Sequence, residues 1–183
     1  MTQETFFPST IATLILTQSL ILLGDTIIKD RGFEISQRLA SGLEDNWAIV
    51  RLSSTIATKD FIFSLPKNQR EKYLSLLLPR LCLNRYFSAE GVKVQSQKAW
   101  KDICGHDGRQ LLAKNIEATV KYYQESCKSE NYAVREAACH CLREIGVKIE
   151  PKIIEPHISS ILESLFFCCN DQLWPVRDVA GRF

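Results

Sequence analysis

The chain lacks almost every short signal by which a sequence announces chemistry. No G-x-G-x-x-G, P-loop, H-E-x-x-H or G-x-S-x-G run occurs in its 183 residues. That leaves no phosphate cradle, zincin helix or nucleophile elbow around which to build an enzyme. Strand signals are equally thin: long β-branched alternations and Asn-Gly hairpin turns are missing, which excludes a sheet-based fold. The most apolar run, Ile11 to Leu23, is shorter than a bilayer span and is broken by Thr13, Thr17, Gln18 and Ser19. Only Glu4 is charged ahead of it, so a secretory leader with a basic start is not expected. An excess of either charge is absent too. The 23 Lys and Arg nearly balance the 21 Asp and Glu, giving a net charge of +2. Such a balance supplies no electrostatic reason for nucleic acid or acidic lipid as an obligate partner.

What is present is a folded chain, 45% hydrophobic and 24% charged, far from the composition of disordered segments. Its seven cysteines, at 82, 104, 127, 139, 141, 168 and 169, include no C-x-x-C pair and fall mostly on predicted buried helix faces. They read as reduced core thiols of a cytoplasmic or nuclear protein.

The organising feature is a dipeptide that recurs. Val50-Arg51, Val92-Lys93, Val134-Arg135 and Val176-Arg177 stand 42 residues apart without a gap. A fixed period of that length marks stacked supersecondary units. Apolar columns follow the same register: Ile35/Leu77/Thr119/Ile161, Leu39/Leu81/Tyr123/Leu165 and Phe61/Ile103/Ile145. Each reads as the inner face of a helix pair that is too small to be stable alone. The expected fold is therefore all-α, an array of stacked helix pairs.

Its units are 8–28, the second helix of a partial repeat; 29–65; 66–107; 108–149; and a truncated 150–183. Within them the spacing predicts helices at Pro8–Leu23, Glu34–Leu43, Trp47–Phe63, Pro66–Tyr86 with a bend at Pro79, and Ala89–Cys104. Further helices are predicted at Leu111–Cys127, Asn131–Gly146, Pro151–Cys169 and Leu173–Phe183. In this register the chain opens on the second helix of a unit and stops inside another, so more repeats are expected beyond the C-terminus.

The residues Asp45…Val50-Arg51, Val134-Arg135 with Ala137-Ala138 and Leu142, and Asp171…Val176-Arg177 resemble the HEAT repeat, a member of the armadillo-type α-solenoids. The second unit departs from the pattern, with Lys93 for arginine and Phe87 where an acid is usual. The resemblance covers nearly the whole chain, and it implies right-handed stacking of antiparallel helix pairs with the second helices lining a concave face. It also implies that Arg51, Lys93, Arg135 and Arg177 form a structural ladder along the turns, pairing with acids such as Asp45 and Asp171. Solenoids of this kind act as scaffolds, so the expectation is a non-catalytic, protein-binding segment of a longer array.

Its partners would sit on the concave face or along the intra-repeat turns. Trp47 and Trp174, beside the Val-Arg label, are aromatic anchors of the type that dominates interfaces; packing between adjacent turns would explain them equally well. His140, Arg143, Lys98 and Lys101 are further candidates for contact with a protein. Lys93, Lys98, Lys101, Arg109, Lys114, Lys121 and Lys128 could form a basic stripe, but Glu90, Asp102, Asp107 and Glu117 interrupt it, as on a solvated face.

Two alternatives share the repeat. A nucleic-acid-associated HEAT protein, such as the HEAT-like alkylpurine DNA glycosylases, needs a continuous basic face and a catalytic acid among aromatics, which these residues do not assemble. A tubulin-binding TOG-type array fits Trp47 and Trp174 at turns but not the regular period, nor the absence of a lysine-rich first turn. The run Trp174-Pro175-Val176-Arg177 is also similar in style to the phosphatase-scaffold class. Cys139-His140-Cys141 and Cys168-Cys169, with His106 and His157, invite zinc. On one helix, however, Cys139 and Cys141 point about 200° apart and cannot reach one ion. No cofactor, catalytic residue or metal ligand set is expected.

Overall fold

The computed structural model describes residues 31–182, and among them every regular element is helical. The helix expected at Pro8–Leu23 lies outside the described residues. In chain order α1 covers 31–43, α2 Ala48–Ser64, α3 Lys67–Asn84, α4 Glu90–Cys104, α5 Gly108–Ala113 and α6 Ile116–Ser126. The longest C-terminal helix, α7, spans Tyr132–Lys148 and is followed by α8, Pro151–Ile154. A 3-10 turn at Glu155–His157 leads into α9, Ile158–Cys169, and α10, Trp174–Ala180. No helix of the described residues is long and apolar enough to cross a membrane.

Local chemistry accounts for the boundaries. Asn131 caps α7 by accepting from the Ala133 amide at 3.0 Å, and Lys148 sits in its last turn, where a cation meets the negative end of the helix dipole. Glu90 and Lys101 place charges of the favourable sign at the two ends of α4. That helix stops at Gly105, whose φ of 54° is open to glycine and strained for other residues. Three residues later Gly108 opens α5, where any Cβ would collide with the Trp100 ring.

Two expected helices are broken. Leu111–Cys127 divides at Lys114-Asn115 into α5 and α6, with Asn115 outside the helical region at φ −128° and ψ 42°. Pro151–Cys169 divides at the 3-10 turn, where Pro156 has no amide to give to an α-helical bond. Pro79, by contrast, lies inside an uninterrupted α3. The last helix ends at Ala180 rather than Phe183, with Gly181 as its C-cap.

The periodic columns are buried except at Ile103, which is half-buried between its column mates Phe61 and Ile145. Val50, Val92, Val134 and Val176 are all in the core, as are Ile35, Leu77, Thr119 and Ile161, and Leu39, Leu81, Tyr123 and Leu165. Burying each large side chain contributes about 1.5–3 kcal/mol. Of the helices one period apart, α2 lies on α4, α3 on α6, α6 on α9 and α7 on α10, whereas α4 and α7 are not closely packed. Small residues make the close approaches, with Ala57, Ala99 and Cys141, again 42 apart, fully enclosed. Between α2 and α4 the Thr55 and Ser96 hydroxyls meet at 3.3 Å. Within units, α3 packs on α4, α6 on α7 and α9 on α10; α3 also packs on α7.

Candidate functional site at the helix turns

The turns before α2, α7 and α10 are built the same way, whereas the turn before α4 carries Phe87 where the others carry a polar side chain. Two residues ahead of the N-cap, a short polar side chain accepts from the N-cap amide: Asp45 from Trp47 at 2.8 Å, Ser129 from Asn131 at 3.3 Å, Asp171 from Leu173 at 2.9 Å. This tight local bond leaves the preceding carbonyls pointing back toward the helix. The arginine of the Val-Arg label closes on them. Arg51 donates to the Glu44 and Asp45 carbonyls. Arg135 donates to those of Ser129 and Glu130 at 2.8 and 3.0 Å, and Arg177 to those of Asp171 and Gln172 at 2.7 and 2.9 Å.

Two of the arginines also reach the next unit. Arg135 grips the Asp171 carboxylate with both arms of its fork, Nε to Oδ2 at 2.6 Å and Nη2 to Oδ1 at 2.9 Å. These bonds hold Asp171 below the usual carboxylate range and raise Arg135. Arg51, only 2% exposed, donates to the Asn84 amide oxygen at 2.6 Å, and Asn84 returns a bond to the Leu43 carbonyl at 3.0 Å. Its guanidinium lies 4.3 Å from the centre of the Phe87 ring. Phe87 thus holds the position relative to Arg51 that Asp171 holds relative to Arg135, a separation of 36 residues in both cases. Burial pushes the Arg51 guanidinium below its ordinary value, and the surrounding oxygens and the ring stand in for a carboxylate.

The ladder therefore differs from the expected one in three ways. Arg51 uses the carbonyl of Asp45 and not its carboxylate. Arg177 likewise takes the Asp171 carbonyl, because the Asp171 carboxylate is already held by Arg135. Lys93 makes only an exposed contact with Glu90 at 3.9 Å. An ammonium has no planar fork to span several carbonyls.

Beside this polar rail stand four of the exposed large apolar residues. Trp47 is 62% and Trp174 65% exposed, with Tyr132 and Leu173 each at 42%. All four occupy the N-cap or first position of α2, α7 or α10. The two tryptophans came from sequence, but Tyr132 and Leu173 did not, because neither stands out by residue type; the column they share with Trp174 and Trp47 was the available signal.

Two clefts run along the turns. One, of about 360 Å³, lies between Glu44, Asn46 and Arg51 on one side and Tyr122, Ser126 and Ser129 on the other. Its wall is braced by the Arg80–Glu44 ion pair at 3.0 Å, with Arg80 stacked 4.6 Å from the Tyr122 ring centre. The second, of about 480 Å³, lies between Cys127, Ser129 and Arg135 and the turn at Asn170 to Gln172. Ser129 lines both, so the first, third and fourth turns share one edge of the molecule.

The remaining sequence candidates lie elsewhere. Half-buried His140 stacks on Tyr86, ring centres 4.9 Å apart and planes within 11°. Burial, then Arg143, Arg182 and Lys93 nearby, lower its pKa. Arg143, Lys98 and Lys101 are exposed on α7 and α4.

A half-buried polar cluster ties the end of α3 to α7. Glu144 accepts from Arg85 and from the Tyr86 hydroxyl, and Arg85 covers the Trp100 ring at 4.1 Å. Arg85 also donates to the Cys82 sulfur at 2.9 Å. Burial pushes that thiol up, but its contact with Cys141 and the Arg85 charge bring it down to about 7.

Cys139 and Cys141 do diverge. Cys141 meets Cys82, with sulfurs 3.9 Å apart, whereas Cys139 joins Cys127 and Cys168, all three sulfurs lying within 4.8 Å of one another. Residues from three separate elements make this group, and no local spacing in the chain marks it. In comparisons with known proteins, no family model matches the chain and no curated protein matches it.

Proposed function

We propose that this chain is a non-catalytic protein-binding scaffold, a HEAT-like right-handed α-solenoid segment that takes its partner along the turn edge. The observation that carries this reading is the pairing of exposed Trp174, Leu173 and Tyr132, with Trp47, to turns stiffened by the arginine bonds beneath them. Large aromatics on a rigid edge give contact area at little cost in conformational entropy, which is how interface anchors work. The arginines support the edge from behind: their donors are taken up by turn carbonyls and by the next unit. The solenoid part of the reading rests on the 42-residue columns and on contacts between helices one period apart.

Both parts are open to test. Solution X-ray scattering on the full chain should give a radius of gyration above the roughly 16 Å of a compact domain of this length; a compact value would remove the solenoid. Cross-linking mass spectrometry in cells should place partner adducts at residues 44–47, 129–132 and 171–174. Trp174→Ser should abolish those at the last turn without changing the melting temperature. Adducts spread over the whole surface, or unmoved by Trp174→Ser, would overturn the assignment. Specific retention of duplex DNA or of tubulin by the purified chain would favour one of the two alternatives set out above.

A further inference from the structure

The three-sulfur group of Cys127, Cys139 and Cys168 has a geometry that ordinary packing does not require. Buried thiols commonly serve as small apolar fillers at close helix contacts, and the Cys82–Cys141 pair is of that kind. The trio differs in three respects. Its members come from the C-cap of α6, the middle of α7 and the end of α9, and they converge as a triangle with all sulfurs within 4.8 Å. All are enclosed, at 1%, 0% and 0% exposure. And the cleft of about 480 Å³ between the third and fourth turns is lined by Cys127 together with Arg135 and Asp171. The cleft meets the edge of the group at Cys127 and carries the Arg135 guanidinium on its wall.

We propose that Cys127, Cys139 and Cys168 form a binding site for a single Cu(I) ion. Ligand type and number select the metal. Three thiolates are soft donors that favour Cu(I), Zn(II) or an iron–sulfur cluster. A structural Zn(II) site closes with four ligands, and among the described residues no imidazole or carboxylate joins this group. Asp171, the nearest acid of the cleft, is already held by Arg135 through two bonds. A dry three-sulfur site suits an ion that is content with trigonal sulfur coordination. Binding is proton exchange without redox chemistry: each thiol that ligates gives its proton to solvent, and copper stays Cu(I). With all three deprotonated the complex carries a charge of −2, and the Arg135 guanidinium offsets part of it.

The test is anaerobic titration of the reduced full chain with Cu(I) buffered by a chromophoric Cu(I) chelator, followed by X-ray absorption on the loaded protein. The expected result is a plateau at one Cu(I) per chain and a first shell of three sulfurs. Cys168→Ser and Cys139→Ser should weaken binding by more than the roughly 10–100-fold that loss of a supporting hydrogen-bond partner costs. Cys141→Ser, in the separate pair, should leave the plateau in place. Circular dichroism confirms that each variant is folded, and the shell measured on the unaltered chain stands even where a variant is not. No plateau against the chelator, a shell containing nitrogen or oxygen, or a plateau unmoved by Cys168→Ser would overturn the proposal. So would preferential uptake of Zn(II) in a four-ligand shell.

Discussion

Arg135→Ala is the sharpest probe of how the turns hold together. The substitution removes two bonds to the Asp171 carboxylate and two to the Ser129 and Glu130 carbonyls. Side-chain exposures of 15% for Arg135 and 7% for Asp171 mean that water replaces these bonds poorly. Asp171 is then left almost enclosed, with the Leu173 amide at 2.9 Å still donating to it. Removing one partner of a buried pair costs roughly 3–5 kcal/mol; the cleft beside this pair admits some water, so about 3 kcal/mol is expected. In a chain of this size that lowers Tm by roughly 6–12 °C. The same pair predicts a pH dependence. Asp171 titrates lower in the folded state than in the unfolded one. Its contribution is therefore complete above the unfolded value of about 3.9 and is lost as pH falls through the folded value. Thermal melts of Arg135→Ala, Asp171→Asn and the double variant between neutral and acid pH make the measurement. The double variant should be less destabilised than the sum of the singles, by about 1 kcal/mol or more. An Arg135→Ala melt within a degree of the unaltered chain, or additive singles, would refute the reasoning. An unchanged melt with lost partner binding would make Arg135 an interface residue instead.

Three further outcomes follow from the packing. Arg51→Ala strands the buried Asn84 oxygen and two turn carbonyls, so chemical denaturation should show a loss of about 3–5 kcal/mol, while Lys93→Ala in the same column should cost less than about 0.5 kcal/mol. Glu144→Ala leaves the Arg85 guanidinium without its carboxylate and the Tyr86 hydroxyl without its acceptor; urea titration should register about 2–4 kcal/mol. That loss should shrink in acid, since burial raises the Glu144 carboxyl but Arg85 and Tyr86 bring it below its ordinary value, and its contribution is lost as pH falls through the lowered, folded-state value. Gly105→Ala meets no steric obstacle but must adopt a positive φ, so its melt should show a loss of about 1–2 kcal/mol.

The 42-residue period, read directly from Val50, Val92, Val134 and Val176, marked columns that are buried at every position but Ile103. Its columns depend only on which face of each helix is apolar, and that is a local property of sequence. The same local logic placed Asn131 at a helix start and Gly105 at a helix end. Trp47 and Trp174 were visible by residue type, but their exposure was not, since a tryptophan beside a turn packs or protrudes according to neighbours far along the chain.

The structure alone decided how the turns are joined. Arg51 meets Phe87 and Asn84, and Arg135 meets Asp171, more than 30 residues away; no window of sequence holds both partners. It also decided the break at Lys114-Asn115, a pair that is tolerable in a helix, whereas the break at Pro156 carries a local cause. The thiol group is the clearest case. On one helix Cys139 and Cys141 diverge, and the sequence says so. That Cys139 instead meets Cys127 and Cys168 depends on how α6, α7 and α9 approach one another, which is set by the whole packed core.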